Sequence, residues 1–275
     1  MNTYGNVQTL KRLLDIEATN SDHHTELLMY LNSASRFIDE YCARIFSVLQ
    51  DTRYYDGAGD TLWLGDDDIL AITTLKLDED GDGTYEKTMA TTDYHLIPYN
   101  EVVKQWIEIN ANGAYGAFAG GVKKGVEIAG TFGYGNGLSL TPYYDSGVKL
   151  TITIGVTSAT VLAEGTLAAG HTVLIESEQM FIETYTVDGS KGITMIRGVN
   201  GTTAAAHTAQ TTQIYQYPDP ITTACYAQAM RWWKRKDSAF QDAVGIPEFG
   251  ITVVYKGLDS DIKMALEQYR RKGIA

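Results

Sequence analysis

The sharpest chemical signal in the chain is a run of carboxylates, Asp78-Glu79-Asp80-Gly81-Asp82-Gly83. Asp78, Asp80, Asp82 and Gly83 match the first half of a D-x-D-x-D-G calcium loop, and Glu86 stands at its ninth position. Alternate carboxylates in such a loop converge on one hard cation, while glycine permits the sharp turn. The twelfth position should carry a bidentate Glu but is Met89. The flanks, 72–77 and 85–90, also read as strands, whereas a helix–loop–helix calcium hand needs helices. Two readings stand: an acidic turn in a β-hairpin, and a weak calcium or magnesium site. A second run, Asp66-Asp67-Asp68, falls on a turn and reads as a solvated loop. The basic counterpart is Arg231, Lys234, Arg235 and Lys236, around Trp232-Trp233. At helical spacing Arg231, Lys234 and Arg235 share a face. The cluster fits a solvated helix end that complements the dipole, a set of ion pairs with an acidic neighbour, or a small nucleic-acid contact.

Signatures of catalysis are missing. The sequence has no Gly-x-Ser-x-Gly elbow, no phosphate loop ending in Gly-Lys-Ser/Thr and no His-Glu-x-x-His. His23 and His24 are adjacent, so on a helix they point apart and cannot readily share a metal. His95, His171 and His207 stand alone and read as surface or turn histidines. Gly133-Tyr134-Gly135-Asn136-Gly137 resembles a dinucleotide loop only faintly. It follows a strand, but Leu138-Ser139-Leu140-Thr141-Pro142 comes next instead of the helix whose N-terminus would hold a pyrophosphate. It reads as a flexible connecting loop.

The elements that must position these residues divide by period. Near the start Val7, Leu10, Leu13 and Leu14 share a helical face, with Asn6 as a cap. Leu27, Leu31, Ala34, Ile38, Tyr41 and Ile45 then draw one apolar stripe, capped within 20–22 and ending near 46–49. From residue 50 to about 218 the chain turns to short β-like runs at 61–64, 72–77, 85–90, 94–97, 106–109 and 126–132. After a Gly/Pro/Tyr stretch (133–147) come 150–156, 161–162, 173–175, 180–185, 193–197 and 213–216. Asn200-Gly201 marks a tight turn. Asp219-Pro220 starts a helix, and a last one is expected over 259–272. The fold class expected is α+β: a discontinuous helical bundle module, 1–49 plus 219–275, with antiparallel β regions inserted. These are a hairpin region, 50–147, and a small β domain, 148–218. The short terminal helices are marginal alone and are expected to pack on one another. Cys42 and Cys225 fall on these helices and read as small buried hydrophobes.

Composition bounds the function. The chain has 275 residues, about two domains' worth. It carries a formal net charge of −12, which argues against a surface built to grip nucleic acid. No run of 18 apolar residues suggests a spanning helix, the start has no signal-peptide core, and two cysteines cannot staple a chain this long. The charge is uneven: residues 219–275 carry +2 and residues 1–218 carry −14.

Several strings resemble a known family. Leu31-Asn32-Ser33-Ala34-Ser35-Arg36-Phe37-Ile38-Asp39-Glu40-Tyr41-Cys42-Ala43-Arg44-Ile45-Phe46 is similar to the second helix of the head–tail connector, or neck adaptor, proteins of tailed bacteriophages. Thr52-Arg53-Tyr54-Tyr55-Asp56-Gly57, Leu62-Trp63-Leu64, Ile72-Thr73-Thr74-Leu75, Asp93-Tyr94-His95-Leu96-Ile97-Pro98 and Gly130-Thr131-Phe132-Gly133-Tyr134-Gly135 follow in family order. Arg231 to Lys236, Leu258-Asp259-Ser260-Asp261-Ile262 and Tyr269-Arg270-Arg271 resemble the last two helices. Residues 148–217 depart from the minimal pattern. Within them, Met195-Ile196-Arg197-Gly198-Val199-Asn200-Gly201-Thr202-Thr203-Ala204-Ala205-Ala206-His207 is similar to strings in phage structural proteins, without an assignable chemistry.

The resemblance implies a non-enzymatic virion protein of the neck, made in the bacterial host cytoplasm, with no membrane partner. It implies a ring, usually a dodecamer, docked under the portal protein and receiving a stopper or tail-completion protein, with DNA only as passing cargo. Portal or subunit contacts would then fall on Arg231, Lys234, Arg235, Lys236, Arg270, Arg271 and Lys272. Carboxylates facing a channel repel phosphate, and Asp66, Asp67 and Asp68 are the lumen candidates. The competing expectation is a calcium-dependent β-rich binding module of a phage or bacterial surface, using Asp78, Asp80, Asp82 and Glu86.

Overall fold

A computed structural model describes residues 2–160, 166–186, 192–236, 243–246, 251–254 and 258–271. Among these residues the chain forms four helices: α1 (Val7–Leu13), α2 (His24–Cys42), α3 (Asp219–Arg235) and α4 (Ser260–Glu267). The first seven strands are β1 (Leu49–Tyr55), β2 (Thr61–Trp63), β3 (Ile69–Leu77), β4 (Lys87–Met89), β5 (Tyr94–Ile97), β6 (Trp106–Ile109) and β7 (Val126–Phe132). The next six are β8 (Tyr143–Ile152), β9 (Ser158–Thr160), β10 (Thr172–Ile175), β11 (Glu178–Tyr185), β12 (Gly192–Ile196) and β13 (His207–Tyr215). A late pair, β14 (Ala243–Ile246) and β15 (Ile251–Val254), lies between α3 and α4. The protein is therefore mixed α and β, and among the described residues every strand pairing is antiparallel.

The chain divides into two compact units. One comprises Met1–Ala43, Tyr143–Val199 and Thr203–Ala275, so all four helices and the sheet of order β8-β13-β10-β11-β12-β9 belong together. The other comprises Arg44–Pro142 with Asn200–Thr202, and holds the sheets β1-β7-β3-β4 and β2-β6-β5. The sequence pattern suggests three parts; the contacts unite the helices with the later β segment.

In the first unit, the Asn6 side chain accepts the Thr9 N–H at 2.8 Å and caps α1 as its residue type requires. The α2 stripe is buried at Leu27, Leu31, Ala34 and Ile38 and half-buried at Tyr41, with Cys42 buried beside it. Its start and end differ from expectation. Asn20 accepts the Asp22 N–H in a turn, and α2 begins at His24. It ends four residues early because Ala43 turns left-handed at φ 50° and its N–H closes on the Asp39 and Glu40 carbonyls. Ile45 thus lies off the helix. α2 and α3 meet at Cys225, whose thiol lies 3.6 Å from the Leu31 carbonyl and 3.5 Å from Ser35 Oγ. Asp259 caps α4 by accepting the Asp261 N–H, but the helix stops at Glu267 instead of reaching 272. The six-stranded sheet buries Val148, Leu150, Val173, Ile175, Met180, Ile182, Met195 and Ile214 in its own core.

In the second unit Leu62, Ile69, Leu75, Leu77, Ile107, Val126, Ile128 and Phe132 form the core between short strands. Asn200 and Gly201 both take positive φ, 57° and 77°, as the tight-turn dipeptide requires. The expected strand at 161–162 lies outside the described residues. No helix among the described residues is long and apolar enough to cross a membrane.

Candidate functional site

The acidic loop 78–86 joins β3 to β4, which pair antiparallel up to Leu77 and Lys87. It is the turn of a hairpin, as its flanks suggest. Asp78 organises it: Oδ1 accepts the Gly81 N–H at 2.7 Å and Oδ2 accepts the Gly83 N–H at 2.9 Å. Gly81 and Gly83 take φ of 81° and 89°, a region open to glycine because it has no Cβ. Desolvation would raise the Asp78 pKa, but the Gly81 and Gly83 N–H bonds outweigh it and hold the carboxyl below its usual range. Asp80 and Asp82 bind the N–H groups of Asp82 and Thr84 in the same way. Asp78, Asp80, Asp82 and Glu86 each bring a carboxylate oxygen within 4.8 Å of the others. Oxygen ligands so gathered can hold a hard divalent cation. Met89 is buried in β4 and supplies no oxygen to close the shell.

The second carboxylate run is not a solvated trio. Asp68 is only 4 % exposed, and Arg44 Nη1 lies 3.1 and 3.2 Å from its two oxygens. The Arg44 guanidinium also lies 4.9 Å from the Tyr134 ring centroid. Asp67 pairs with Arg53 and accepts the Tyr55 hydroxyl at 2.6 Å. Only Asp66 of the three is exposed. Adjacent carboxylates in a turn point different ways, and two of these found an arginine distant in sequence, which spacing alone does not reveal.

The basic cluster at the end of α3 is largely engaged within its own unit. Lys236 Nζ lies 3.3 Å from the Trp233 ring centroid and 3.4 Å from Glu26 Oε2. Arg231 Nη1 lies 3.8 Å from Asp259 Oδ2. Trp233 in turn takes the edges of His23 and Tyr30, and Trp232 meets Phe37. Lys234 is the exposed member. Further on, Arg270 lies 3.6 Å from Glu267 and 5.9 Å from the Tyr41 ring centroid, and the Arg271 N–H donates to the Cys42 carbonyl at 2.8 Å. Lys272 lies outside the described residues.

The structure assembles one array that residue spacing did not suggest. Glu178 is fully buried and collects five donors. Arg197 gives two, Nε to Oε1 at 2.7 Å and Nη2 to Oε2 at 2.8 Å. The Gly198 and Ala205 N–H groups add bonds of 3.0 and 2.9 Å, and His207 Nε2 lies 2.9 Å from Oε2. The other His207 nitrogen lies 2.7 Å from Glu176. Burial alone would raise the Glu178 pKa; Arg197, the N–H groups and His207 reverse that and hold it down to about 2. Arg197 also donates to the Thr153, Val156 and Ala205 carbonyls. The string 195–207 thus has a physical role: it wraps a loop around one carboxylate. Glu178 itself has no exposed surface, whereas Glu176 at the edge of the array is exposed.

His207 is therefore buried between carboxylates, not a turn histidine. His171 lies on a turn, its N–H donating to the Ala168 carbonyl at 3.2 Å, and burial of the ring pushes its pKa down to about 4. The Gly133–Gly137 segment is not a free connector at its start. The Gly133 N–H donates to Asp68 O and the Tyr134 N–H to Ile45 O, both at 2.8 Å. Cys42 and Cys225 are buried thiols outside any disulfide. No protein-family model and no curated protein matches the chain.

Proposed function

We propose that this chain is a structural virion protein of the tailed-phage neck, an adaptor between the portal and the stopper or tail. The reading rests on one observation: nine strings that resemble the neck adaptors recur in family order, from 31–46 to 269–271. They fall on α2, β1, β2, β3, β5, the end of β7, the end of α3 and the α4 region. On this reading α1–α4 are the discontinuous helical bundle module, and β8–β13 are an addition to it. The subunits form a ring, with twelve the number that the resemblance implies. The ring lines the DNA channel of the neck, its body acidic so that phosphate does not adhere. Asp66 is the lumen candidate left with an exposed carboxylate. Lys234 is the most accessible of the docking candidates at the end of α3. The protein is non-enzymatic, resides in the virion neck and is made in the host cytoplasm.

The second reading is a calcium-dependent β-rich binding module, favoured by the four oxygens gathered from Asp78, Asp80, Asp82 and Glu86. Native mass spectrometry with the portal protein encoded beside this chain, with calcium and with a chelator, separates the two. An adaptor assembles on the portal in both buffers. A chain that ignores the portal and binds calcium stoichiometrically supports the second reading and sinks the first.

A further inference from the structure

A cleft of about 470 Å³ opens where the start of the chain, β8, the end of β13 and the first turns of α3 meet. That volume is ordinary for a small-molecule site. Five tyrosines line it: Tyr4, Tyr144, Tyr215, Tyr217 and Tyr226. Three are a contiguous ring cluster, with Tyr217 centred 4.6 Å from Tyr4 and 4.5 Å from Tyr215. Burial raises the pKa of all five phenols, so the walls stay neutral.

Charge narrows the occupant. The lining contains neither Lys nor Arg. His171, also in the wall, accepts the Ala168 N–H on Nδ1 at 3.1 Å, and burial keeps the ring neutral near pH 7. Asp219, exposed at the start of α3, is the one formal charge in the lining. An anion would therefore meet no counter-charge in the lining itself and one repelling carboxylate; Arg36 stands behind the wall, 5.6 Å from the Tyr4 ring centroid. Electron-rich aromatic walls beside a lone carboxylate suit a cation that is large and weakly hydrated.

We propose that this cleft binds a small organic ammonium ion, a quaternary or methylated amine. Tyrosine rings wall it, and Asp219 supplies the counter-charge. The site is independent of the neck reading and stands or falls without it.

Choline chloride titrated into the full chain, against matched sodium chloride, tests the proposal by saturation-transfer NMR on the N-methyl protons. Transfer should be saturable. Asp219→Asn and Tyr144→Ala should each weaken binding about fivefold, the scale of one exposed cation–π or ion-pair contact. Both residues are exposed, so unchanged melting of the variants verifies their fold. Absence of transfer to choline overturns the proposal. So does choline binding that both folded variants leave unchanged, or transfer to methyl α-D-glucopyranoside in place of choline, which would mark a neutral sugar site.

Discussion

Arg197 and Glu178 meet side by side in the interior, with two guanidinium nitrogens 2.7 and 2.8 Å from the two carboxylate oxygens. A buried pair of this kind is not by itself strong evidence of net stabilisation, but removing one partner strands the other charge. Arg197→Met should destabilise the protein by about 3–5 kcal/mol, read as a lower midpoint in urea unfolding. A change below ~1 kcal/mol would mean that the remaining donors suffice for Glu178.

The same carboxylate sets an acid limit. Its folded pKa, about 2, lies below the ordinary value of 4.5. The folded state therefore favours the ionised form, and this contribution is complete above about pH 4.5 and lost as pH falls toward 2. Melting temperature should drop across that window, and Glu178→Gln should flatten the drop while lowering stability at neutral pH.

Asp39 acts in the opposite sense. Desolvation raises its pKa to about 6, although Arg36 and the Tyr4 hydroxyl favour its charged form. Its contribution is complete below the ordinary value of 3.8 and is lost as pH rises through about 6. Carbon-13 NMR of the Asp39 carboxyl should show a midpoint displaced upward from the ordinary value; an unshifted midpoint would contradict this.

The acidic loop should depend on Asp78 with or without metal. Asp78→Ala removes the acceptor of two backbone N–H bonds and should cost about 1–3 kcal/mol in chelator-containing buffer. A loss seen only when calcium is present would assign the loop to metal binding.

Cys225 should be inert. It is fully buried, and desolvation pushes its thiol up to about 12. A thiol reagent at pH 8 should label neither cysteine in the folded protein and both after denaturation. Rapid labelling of native Cys225 would contradict the packing of α2 on α3.

Much of the fold was legible because its signals are local. Asn6, Asp219-Pro220 and Asp259 mark real helix starts, and the flanks of 78–86 announced a hairpin. β1 is suggested only by the resemblance of 52–57 to the family strand after the second helix, because Leu49–Tyr55 carries no apolar run. The α2 end escaped because Ala43 adopts a left-handed turn that residue type does not announce. Candidate sites were legible only where their partners are neighbours in sequence. Asp78 to Glu86 are, and they converge. Asp68 with Arg44, and Glu178 with Arg197 and His207, are joined across 19 to 29 positions and depend on strand pairing.

The central claim, a neck adaptor, meets its most direct test in electron microscopy of the purified chain mixed with the portal protein encoded in the same genome. The account predicts a closed ring of this chain seated coaxially on the portal, with twelve copies around the channel. Portal rings that remain bare at saturating concentrations of the folded chain would contradict it.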